Sequence, residues 1–289
     1  MTQSGAFQTR QPQFKGTIAE QSDLRSVARL CRRAVGPTDY ILKMLPNVMA
    51  HGRLFLAWYG FELVGMTNFD KCVDGSGWLS MARTDPDWRR RGVAMFLQHQ
   101  IIEYARRKAI GPLRLWALSK NKASIGACDK GGFMLVCEAA HVSCRLSVKK
   151  KAKQVLPTYA SDTQLQSFLR PGYSSKMNGY IARGWHFMRS SERLLRQLEK
   201  QGELYVVGDS AFLVTRPEIR FKEPQSSLTI LTGPVPEAMK SARKIAGTLG
   251  AKNLSSYIPY EHYQLSIAKK CGFRRSPWGS HCFVFEKKV

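Results

Sequence analysis

The sequence repeats itself at a spacing near 140 residues, and this repetition constrains the fold more than any other feature. The stretch GRLFLA in the first half is echoed by GELYVV in the second, and each leads into a predicted β-hairpin. CDKGGF, ending at Phe133, is echoed by AKKCGF, ending at Phe273, and the same offset carries His141 onto His281. Three landmarks in the same order favour an internal duplication over chance.

Within the first half, short strands and helices succeed one another. FKGTIAE predicts a strand, Ser22 or Asp23 can cap the helix that follows, and Tyr59–Gly60 marks a hairpin turn. Apolar residues then recur at helical spacing from Val93 to Ala105, and FMLVCEAAHVSCRLSV suggests a closing pair of strands. The sequence therefore predicts a mixed α/β fold.

The predicted domain boundaries follow from the repeat and from one basic, proline-containing stretch, KKKAKQVLP. That stretch is typical of a linker, although a solvated loop explains it equally well. We predict a flexible N-terminus at 1–12, a first domain at 13–150, a linker at 151–160 and a second, similar domain at 161–289.

Basic residues are in large excess over the 289 positions, 45 Lys and Arg against 21 Asp and Glu. The first 150 positions hold 23 basic and 11 acidic residues, and the rest hold 22 and 10. The net charge of +24 is therefore shared by both halves and does not come from a basic tail. Such a charge suits an anionic partner, and nucleic acid is one candidate on charge alone.

The cysteine content and the hydropathy of the chain indicate in which cellular compartment to expect it. The seven cysteines are odd in number and form no C-x-x-C pair, which favours reduced thiols over a disulfide framework or a metal site. The N-terminal stretch has no apolar core, and no run of 18 apolar residues occurs. We therefore expect a soluble, cytoplasmic protein without a membrane span and without a metal.

The stretch WRRRGVAMFL places three arginines directly before the predicted central helix. The first amides of a helix have no intrahelical partner and the helix dipole adds positive charge, so an anion is stabilised there. Gly92 lacks a Cβ and lets a phosphate approach the backbone, and Ala94 is also small. The pattern indicates a pyrophosphate site between a strand and a helix, with an ordinary basic surface loop as the alternative.

This segment resembles the Gcn5-related N-acetyltransferase (GNAT) family, whose pyrophosphate loop reads Q/R-x-x-G-x-G/A. Arg89, Gly92 and Ala94 fill that pattern, Pro86 to Arg89 match the P-x-x-R that precedes it, and Asn121 and Gly132-Phe133 match two later positions. The resemblance covers roughly residues 14–148. It implies a mostly antiparallel sheet with splayed central strands, apparently duplicated in the second half.

The resemblance further implies that acetyl-CoA is the co-substrate and an amine is the acceptor. The strand before the loop would pair its exposed backbone with the pantetheine arm, although a simple paired strand fits the sequence as well. Residues expected to bind acetyl-CoA are Ala82, Arg83, Thr84, Arg89, Arg90, Arg91, Gly92, Val93, Ala94 and Asn121.

The residues that move protons are less clear from the sequence. Relatives often use a tyrosine as the proton donor, and Cys128 stands at its position. A glutamate commonly found in the strand before the loop is missing here, which leaves Glu138 and His141 as candidate bases, ahead of Asp74 and Asp85. Deprotonation through ordered waters is an open alternative.

The second half differs at the corresponding loop, LTGPVP. No arginine precedes the helix, and Pro234 and Pro236 remove two amide donors. We therefore expect a degenerate GNAT-like half with a structural or substrate-shaping role. Two other functions stay open: a basic protein associated with nucleic acid or ribosomes, and a non-catalytic acyl-CoA sensor. The sequence does not predict the oligomeric state.

Overall fold

A computed structural model describes residues 13–51, 53–147, 156–170, 174–220, 223–277 and 279–289. The predicted flexible N-terminus at 1–12 and residues 151–155 of the predicted linker lie outside these residues. The chain has a mixed α/β fold with a mostly antiparallel sheet, as predicted. None of the helices within the described ranges combines the length and the apolar character needed to cross a membrane.

The chain divides into two compact units, which we call unit 1 (residues 1–70 and 79–109) and unit 2 (residues 71–78 and 110–289). The division does not follow the predicted boundaries at 150 and 161, because residues 110–147 pack with the second half of the chain. The domain boundaries predicted from the repeat therefore stay a prediction.

The described residues of unit 1 form three α-helices and a sheet in the order β1-β2-β3-β4. Two short 3-10 turns, Gln21–Asp23 and Pro86–Trp88, precede α1 and α3. The elements are β1 (Lys15–Ile18), α1 (Leu24–Ala34), α2 (Ile41–His51), β2 (Arg53–Tyr59), β3 (Glu62–Lys71), β4 (Gly77–Thr84) and α3 (Val93–Arg107), with the ends of β3 and β4 reaching into unit 2.

Local sequence signals account for most of unit 1. Gly60 turns the β2–β3 hairpin at φ 56°, as predicted. Asp23 stands at the start of α1 but makes no side-chain cap there, because its carboxylate accepts from the amide of Glu20 instead. The core forms where apolar residues of α1 and α2, such as Val27 and Ile41, pack with residues of β2 and β3.

Gly65 on β3 sets how closely α3 can approach the sheet. A Cβ at this position would overlap Cγ1 of Val93, the first residue of α3. The absence of a side chain thus lets the beginning of α3 lie directly on β3, which fixes the position of the loop before the helix.

Unit 2 contains a sheet in the order β5-β15-β6-β13-β12-β10-β9 and a separate β7–β8 hairpin. The first two residues of β4, Gly77 and Trp78, pair in parallel with Leu113 and Arg114 of β5. The elements are β5 (Leu113–Leu118), α4 (Lys122–Lys130), β6 (Met134–Arg145), α5 (Asp162–Leu169), a 3-10 turn (Ser174–Met177), β7 (Tyr180–Arg183), β8 (His186–Arg189), α6 (Glu192–Lys200), β9 (Leu204–Val207), β10 (Ser210–Val214), β11 (Glu218–Arg220), β12 (Glu223–Thr232), α7 (Val235–Thr248), β13 (Asn253–Pro259), α8 (His262–Lys270), β14 (Arg274–Arg275) and β15 (His281–Lys287).

The repeat reappears in the backbone hydrogen bonding of two buried phenylalanines. The amide of Phe133 donates to Cys128 O over 2.9 Å, and the amide of Phe273 donates to Ala268 O over the same distance. Each phenylalanine follows a left-handed glycine at the end of a short helix, α4 or α8. The two helices themselves span Lys122–Lys130 and His262–Lys270, again offset by 140.

The last strands of the two halves are exchanged. β6 pairs antiparallel with β13 of the second half, and β15 pairs antiparallel with β5 of the first half. β6 and β15 also pair with each other. The prediction of two closing strands between Phe133 and Val148 is wrong, since β6 runs unbroken for 12 residues. No glycine or proline interrupts it, and its partners come from far along the chain.

A charged cluster lies inside unit 2. Arg114 is 3% exposed and donates to Asp74 Oδ2 and Glu286 Oε2, each over 2.7 Å. Ser76 Oγ lies 3.0 Å away, and the hydroxyl of Tyr180 donates to Glu286 over 2.9 Å. Burial, with the neighbouring carboxylate, raises the pKa of Tyr180 to about 12. The cluster links β5 to β15. Within it, the carboxylate of Asp74 is engaged by the Arg114 guanidinium.

Candidate functional site

The turn that enters α3 is fixed by the buried carboxylate of Asp85. Arg33 donates to its two oxygens over 2.6 and 3.0 Å, and the amide of Asp87 donates over 3.1 Å. The hydrogen bond from Arg33 holds the pKa of Asp85 below its ordinary value. Asp85 is therefore an ionised structural anchor with its oxygens occupied, which disfavours it as a base.

The three arginines of the turn have different local roles. Arg89 Nη2 donates to Ala34 O at the end of α1 over 2.9 Å, where the helix dipole favours a cation. Arg91 lies over the ring of Trp88, 5.4 Å from its centroid. Arg90 is exposed and adopts φ 61°, a left-handed conformation that is uncommon outside glycine. All three keep positive charge beside the start of α3.

Gly92 caps α3 in a left-handed conformation with φ 88°. It supplies no side-chain cap, and the space where a Cβ would stand holds no atom within 4 Å. Within the described part of the chain no group accepts from the amides of Gly92, Val93, Ala94 and Met95. The helix therefore presents several bare donors at an exposed end, as the anion site predicted from the sequence requires.

β4 is irregular just before the residues predicted to bind the pantetheine arm. Met81 takes φ 56°, so the strand departs from regular geometry ahead of Ala82, Arg83 and Thr84. The side chain of Arg83 is held by Asp39, with two hydrogen bonds of 2.8 Å. The guanidinium of Arg83 is therefore engaged within the protein, and the predicted contact of this residue with the pantetheine arm concerns its backbone.

The remaining predicted site residues lie in unit 2. Asn121 is exposed and caps α4, accepting from the amide of Ser124 over 3.1 Å. Cys128 is buried inside α4, and burial raises the pKa of its thiol to about 12. A thiol that weakly acidic is a poor proton donor at neutral pH, so the structure disfavours Cys128 as the general acid.

His141 is also withdrawn from solvent. It is 4% exposed on β6, its Nδ1 is hydrogen-bonded to Ser276 Oγ, and its ring packs against Tyr257. Burial lowers its pKa to about 4. A buried imidazole engaged in this way is a packing residue, which disfavours His141 as the base.

Glu138, the other candidate base, contacts a histidine that is not among the candidate bases predicted from the sequence. Its Oε2 lies 2.8 Å from Nε2 of His281, the first residue of β15. The Glu138 side chain is 50% exposed and that of His281 is 22% exposed. The offset of 140 had linked His281 to His141, but the repeat could not show which of the two histidines is accessible.

Two further observations concern thiols and metals. All seven cysteines are buried and unlinked. No group of three or more His, Cys, Asp or Glu side chains is arranged around a metal position in the described ranges.

The start of α7 in the second half differs from the start of α3. Pro234 occupies its cap position and Pro236 lies in its first turn. A Cβ at Gly233 would overlap the backbone of Asp209, so the β9–β10 turn is packed against this loop. Glu237, also in the first turn, accepts from Ser210 Oγ over 3.2 Å. Prolines and a carboxylate thus stand at the start of α7, where the start of α3 has unpaired amide donors.

Known proteins resemble this chain in sequence over part of its length and in fold over most of it. Residues 23–133 match the model of the acetyltransferase (GNAT) family. A search of curated proteins finds no match. Solved structures share the fold at low identity, including a protein from Thermoplasma acidophilum provisionally described as an acetyltransferase, with 17% identity, 95% of this chain and 100% of that chain covered, and a TM-score of 0.63.

Two further structures extend the likeness over both halves of the chain. A GCN5-related N-acetyltransferase from Sphaerobacter thermophilus has 10% identity, covers 95% of each chain and has a TM-score of 0.59. A tandem GNAT protein from the clavulanic acid biosynthesis pathway has 11% identity, covers 96% of this chain and 98% of that chain, and has a TM-score of 0.52. The chain therefore carries a GNAT-family domain at residues 23–133, within a fold that it shares with GNAT proteins, a tandem one among them.

Proposed function

We propose that the chain is an N-acetyltransferase that transfers an acetyl group directly from acetyl-CoA to an amine of a small molecule or a protein. The observation that carries this proposal is the uncapped start of α3, where a left-handed Gly92 and bare amides stand among three arginines. The family match over residues 23–133 supports the same reaction class.

The start of α3 suits a diphosphate for physical reasons. Backbone amides at a helix N-terminus donate to phosphate oxygens, and the helix dipole adds about half a positive charge there. The open space at Gly92 admits an oxygen close to the backbone. Arg90 and Arg91 add charge without occupying the amides, because a guanidinium only donates hydrogen bonds and cannot satisfy another N–H donor.

We also propose that the second half does not bind acetyl-CoA and instead shapes the acceptor side. At the start of α7 Pro236 lacks an amide donor, and the carboxylate of Glu237 would repel a phosphate. Gly233 has no room for a ligand beside it, because the β9–β10 turn is already there. One cofactor per chain is therefore expected.

Calorimetry with acetyl-CoA tests the cofactor site. Gly92→Glu places a carboxylate among the bare amides and should abolish measurable binding. Gly60→Glu is the matched control, since Gly60 also has a positive φ and open space but lies in the β2–β3 turn. Equal affinity of the two variants would contradict the proposal. Pro236→Ala, in the second half, should leave both affinity and stoichiometry unchanged.

A thiol-release screen tests the reaction. Amino acids, polyamines, aminoglycosides and peptides are offered with acetyl-CoA, and free thiol is measured. The buried Cys128 favours one alternative, an acyl-CoA sensor, because it leaves α4 without an effective proton donor at that position. A sensor would bind acetyl-CoA in the calorimeter but release no thiol with any amine.

A further inference from the structure

We infer that unit 2 contains a binding site for a small, neutral molecule with several hydroxyl groups, between the β7–β8 hairpin and the sheet. The site is a polar cavity of about 80 Å³. At roughly 15 Å³ for each water, such a cavity holds about five waters or one compact molecule of similar size. All of its lining residues belong to unit 2, and its existence does not depend on the proposed acetyl transfer.

A row of three hydroxyl groups crosses the sheet at the cavity. Ser255 on β13 pairs with Ser227 on β12, and the amide of Thr215, just after β10, donates to Ser227 O over 3.1 Å. All three residues are buried and line the cavity. The same face of the sheet continues with apolar side chains such as Leu213 and Tyr257. Buried hydroxyls cost free energy unless they are hydrogen-bonded, so this row favours a polar occupant.

The protein satisfies this row only in part. The amide of Gly184 donates to Ser227 Oγ over 2.9 Å, and Ser227 Oγ donates to Thr215 Oγ1 over 3.3 Å. Thr215 Oγ1 also accepts from the amide of Ser227 over 2.9 Å, so its own proton is left to donate. The hydroxyl of Ser255, a residue only 3% exposed, makes no hydrogen bond within the described residues. A ligand can therefore accept from Thr215 and can both accept from and donate to Ser255.

The alternation of side chains along β13 places Ser255 on the cavity side of the sheet. Leu254 packs in the cluster that contains α7, whereas Tyr257 packs in the cluster that contains the β7–β8 hairpin. Since successive side chains of a strand point to opposite faces, Ser255 faces the hairpin and its neighbour Ser256 faces α7. Ser256 Oγ donates to Leu228 O over 2.9 Å, so that hydroxyl is satisfied by the protein.

Charged groups of both signs surround the cavity. Arg183 donates to both carboxylate oxygens of Glu203 over 2.9 and 2.6 Å, which makes a neutral pair. Glu218 adds a carboxylate at the exposed rim. A wider groove of about 440 Å³ shares Arg183 and Glu218 with the cavity, and Lys200 and Arg216 also line it. Because neither sign of charge dominates, the surroundings favour a neutral ligand over an ion.

Hydroxyl groups match the hydrogen-bonding character of the lining. Arg183 only donates and Glu218 only accepts, whereas the amide of Gln225, the imidazole of His186 and the hydroxyls can do both. An anion would use the donors alone, and an ammonium group would use the acceptors alone. A hydroxyl group both donates and accepts, so a molecule with several of them can satisfy both kinds of lining group.

The walls of the cavity are fixed by contacts within unit 2. Thr229 Oγ1 donates to Ala182 O of β7, and with the contact of the Gly184 amide this holds the hairpin on β12. The ring of His186 meets the buried ring of Trp78 edge-on, with centroids 5.5 Å apart. A preformed cavity reduces the cost of ordering side chains when a ligand binds.

Three-carbon probes of equal size test the site and the class of its ligand. Glycerol is neutral, glycerate is an anion and serinol is a cation, and saturation-transfer NMR with the full chain measures the binding of each. We expect saturable binding of glycerol and of the larger neutral probe D-ribose, with glycerate and serinol bound about tenfold more weakly. Binding of glycerate or serinol as tight as that of glycerol would overturn the neutral class. No saturable binding of either neutral probe would overturn the site.

The adjacent serines of β13 provide a matched pair of variants. Ser255→Ala removes the unpartnered hydroxyl and should weaken glycerol binding about tenfold, with little change in the midpoint of urea denaturation, since no hydrogen bond within the protein is lost. Ser256→Ala breaks the hydrogen bond to Leu228 O and should lower that midpoint while glycerol affinity stays unchanged. Equal glycerol affinity of Ser255→Ala and the unmodified protein would show that glycerol binds elsewhere and would overturn the inference.

Discussion

Arg114 and Glu286 lie 172 residues apart in the chain, yet Arg114 Nε donates to Glu286 Oε2 over 2.7 Å inside the protein. The contact joins β5 to β15, the strand that the second half contributes. Asp74 accepts from Nη1 of the same guanidinium, so one cation is shared by two carboxylates. Because this buried cation links β15 to β5, the exchanged strand contributes to the stability of the first half.

Replacing Arg114 should destabilise the protein strongly. Arg114→Met removes the cation and leaves Asp74 and Glu286 buried without a counter-charge, which typically costs about 3–5 kcal/mol of the free energy of unfolding. Urea denaturation measures the loss. Arg106→Met is the control, because Arg106 forms an exposed pair with Glu103 and should change stability by about 0.5 kcal/mol or less. Equal effects would show that the buried cluster contributes little.

Arg90→Gly should separate stability from cofactor binding. The left-handed φ of 61° costs about 1–2 kcal/mol for a residue with a Cβ, and glycine removes that strain at some cost in chain entropy. We expect stability to rise by about 0.5 kcal/mol while acetyl-CoA affinity falls, since a cation beside the phosphates is lost. Thermal denaturation and calorimetry measure the two effects. Affinity that does not change would remove Arg90 from the proposed cofactor site.

His141 should make the protein acid-sensitive. Its pKa is 6.5 when unfolded and about 4 in the folded protein, because burial disfavours the charged ring. Between these two values only the unfolded chain binds the proton, so the free energy of unfolding falls as pH decreases from 6.5 to 4, by about 3 kcal/mol in total. His141→Gln should be less stable at pH 7 and should lose this part of the pH dependence. Parallel stability curves for the two proteins would contradict the burial effect.

Much of the fold could be predicted because its signals are local. The hairpin turn at Gly60, the helix beginning at Val93 and the glycine that ends α4 are each set by a few adjacent residues. The repeat extended the prediction to the second half, where α8 lies 140 residues after α4. The match of residues 23–133 to the GNAT family confirms the resemblance seen in the loop before α3.

The partners of β6 could not be predicted, because strand pairing between distant segments leaves no local pattern. The stretch FMLVCEAAHVSCRLSV predicts two strands where the structure has one, and the partners of that strand in β13 and β15 lie over 100 residues away. The same limit applies to the candidate base. His141 and His281 occupy equivalent places in the repeat, and only their packing shows that one is enclosed and the other is accessible.

The exchanged strands set an order for assembly during synthesis. β5 leaves the ribosome early, but the strand that flanks it, β15, is made about 160 residues later. At an elongation rate of roughly 5–20 residues per second, the first half waits on the order of ten seconds with one strand edge unpaired. An unpaired edge of this kind is a site for wrong pairing with other chains. Successful folding of the nascent protein therefore depends on shielding that edge until translation has passed β15.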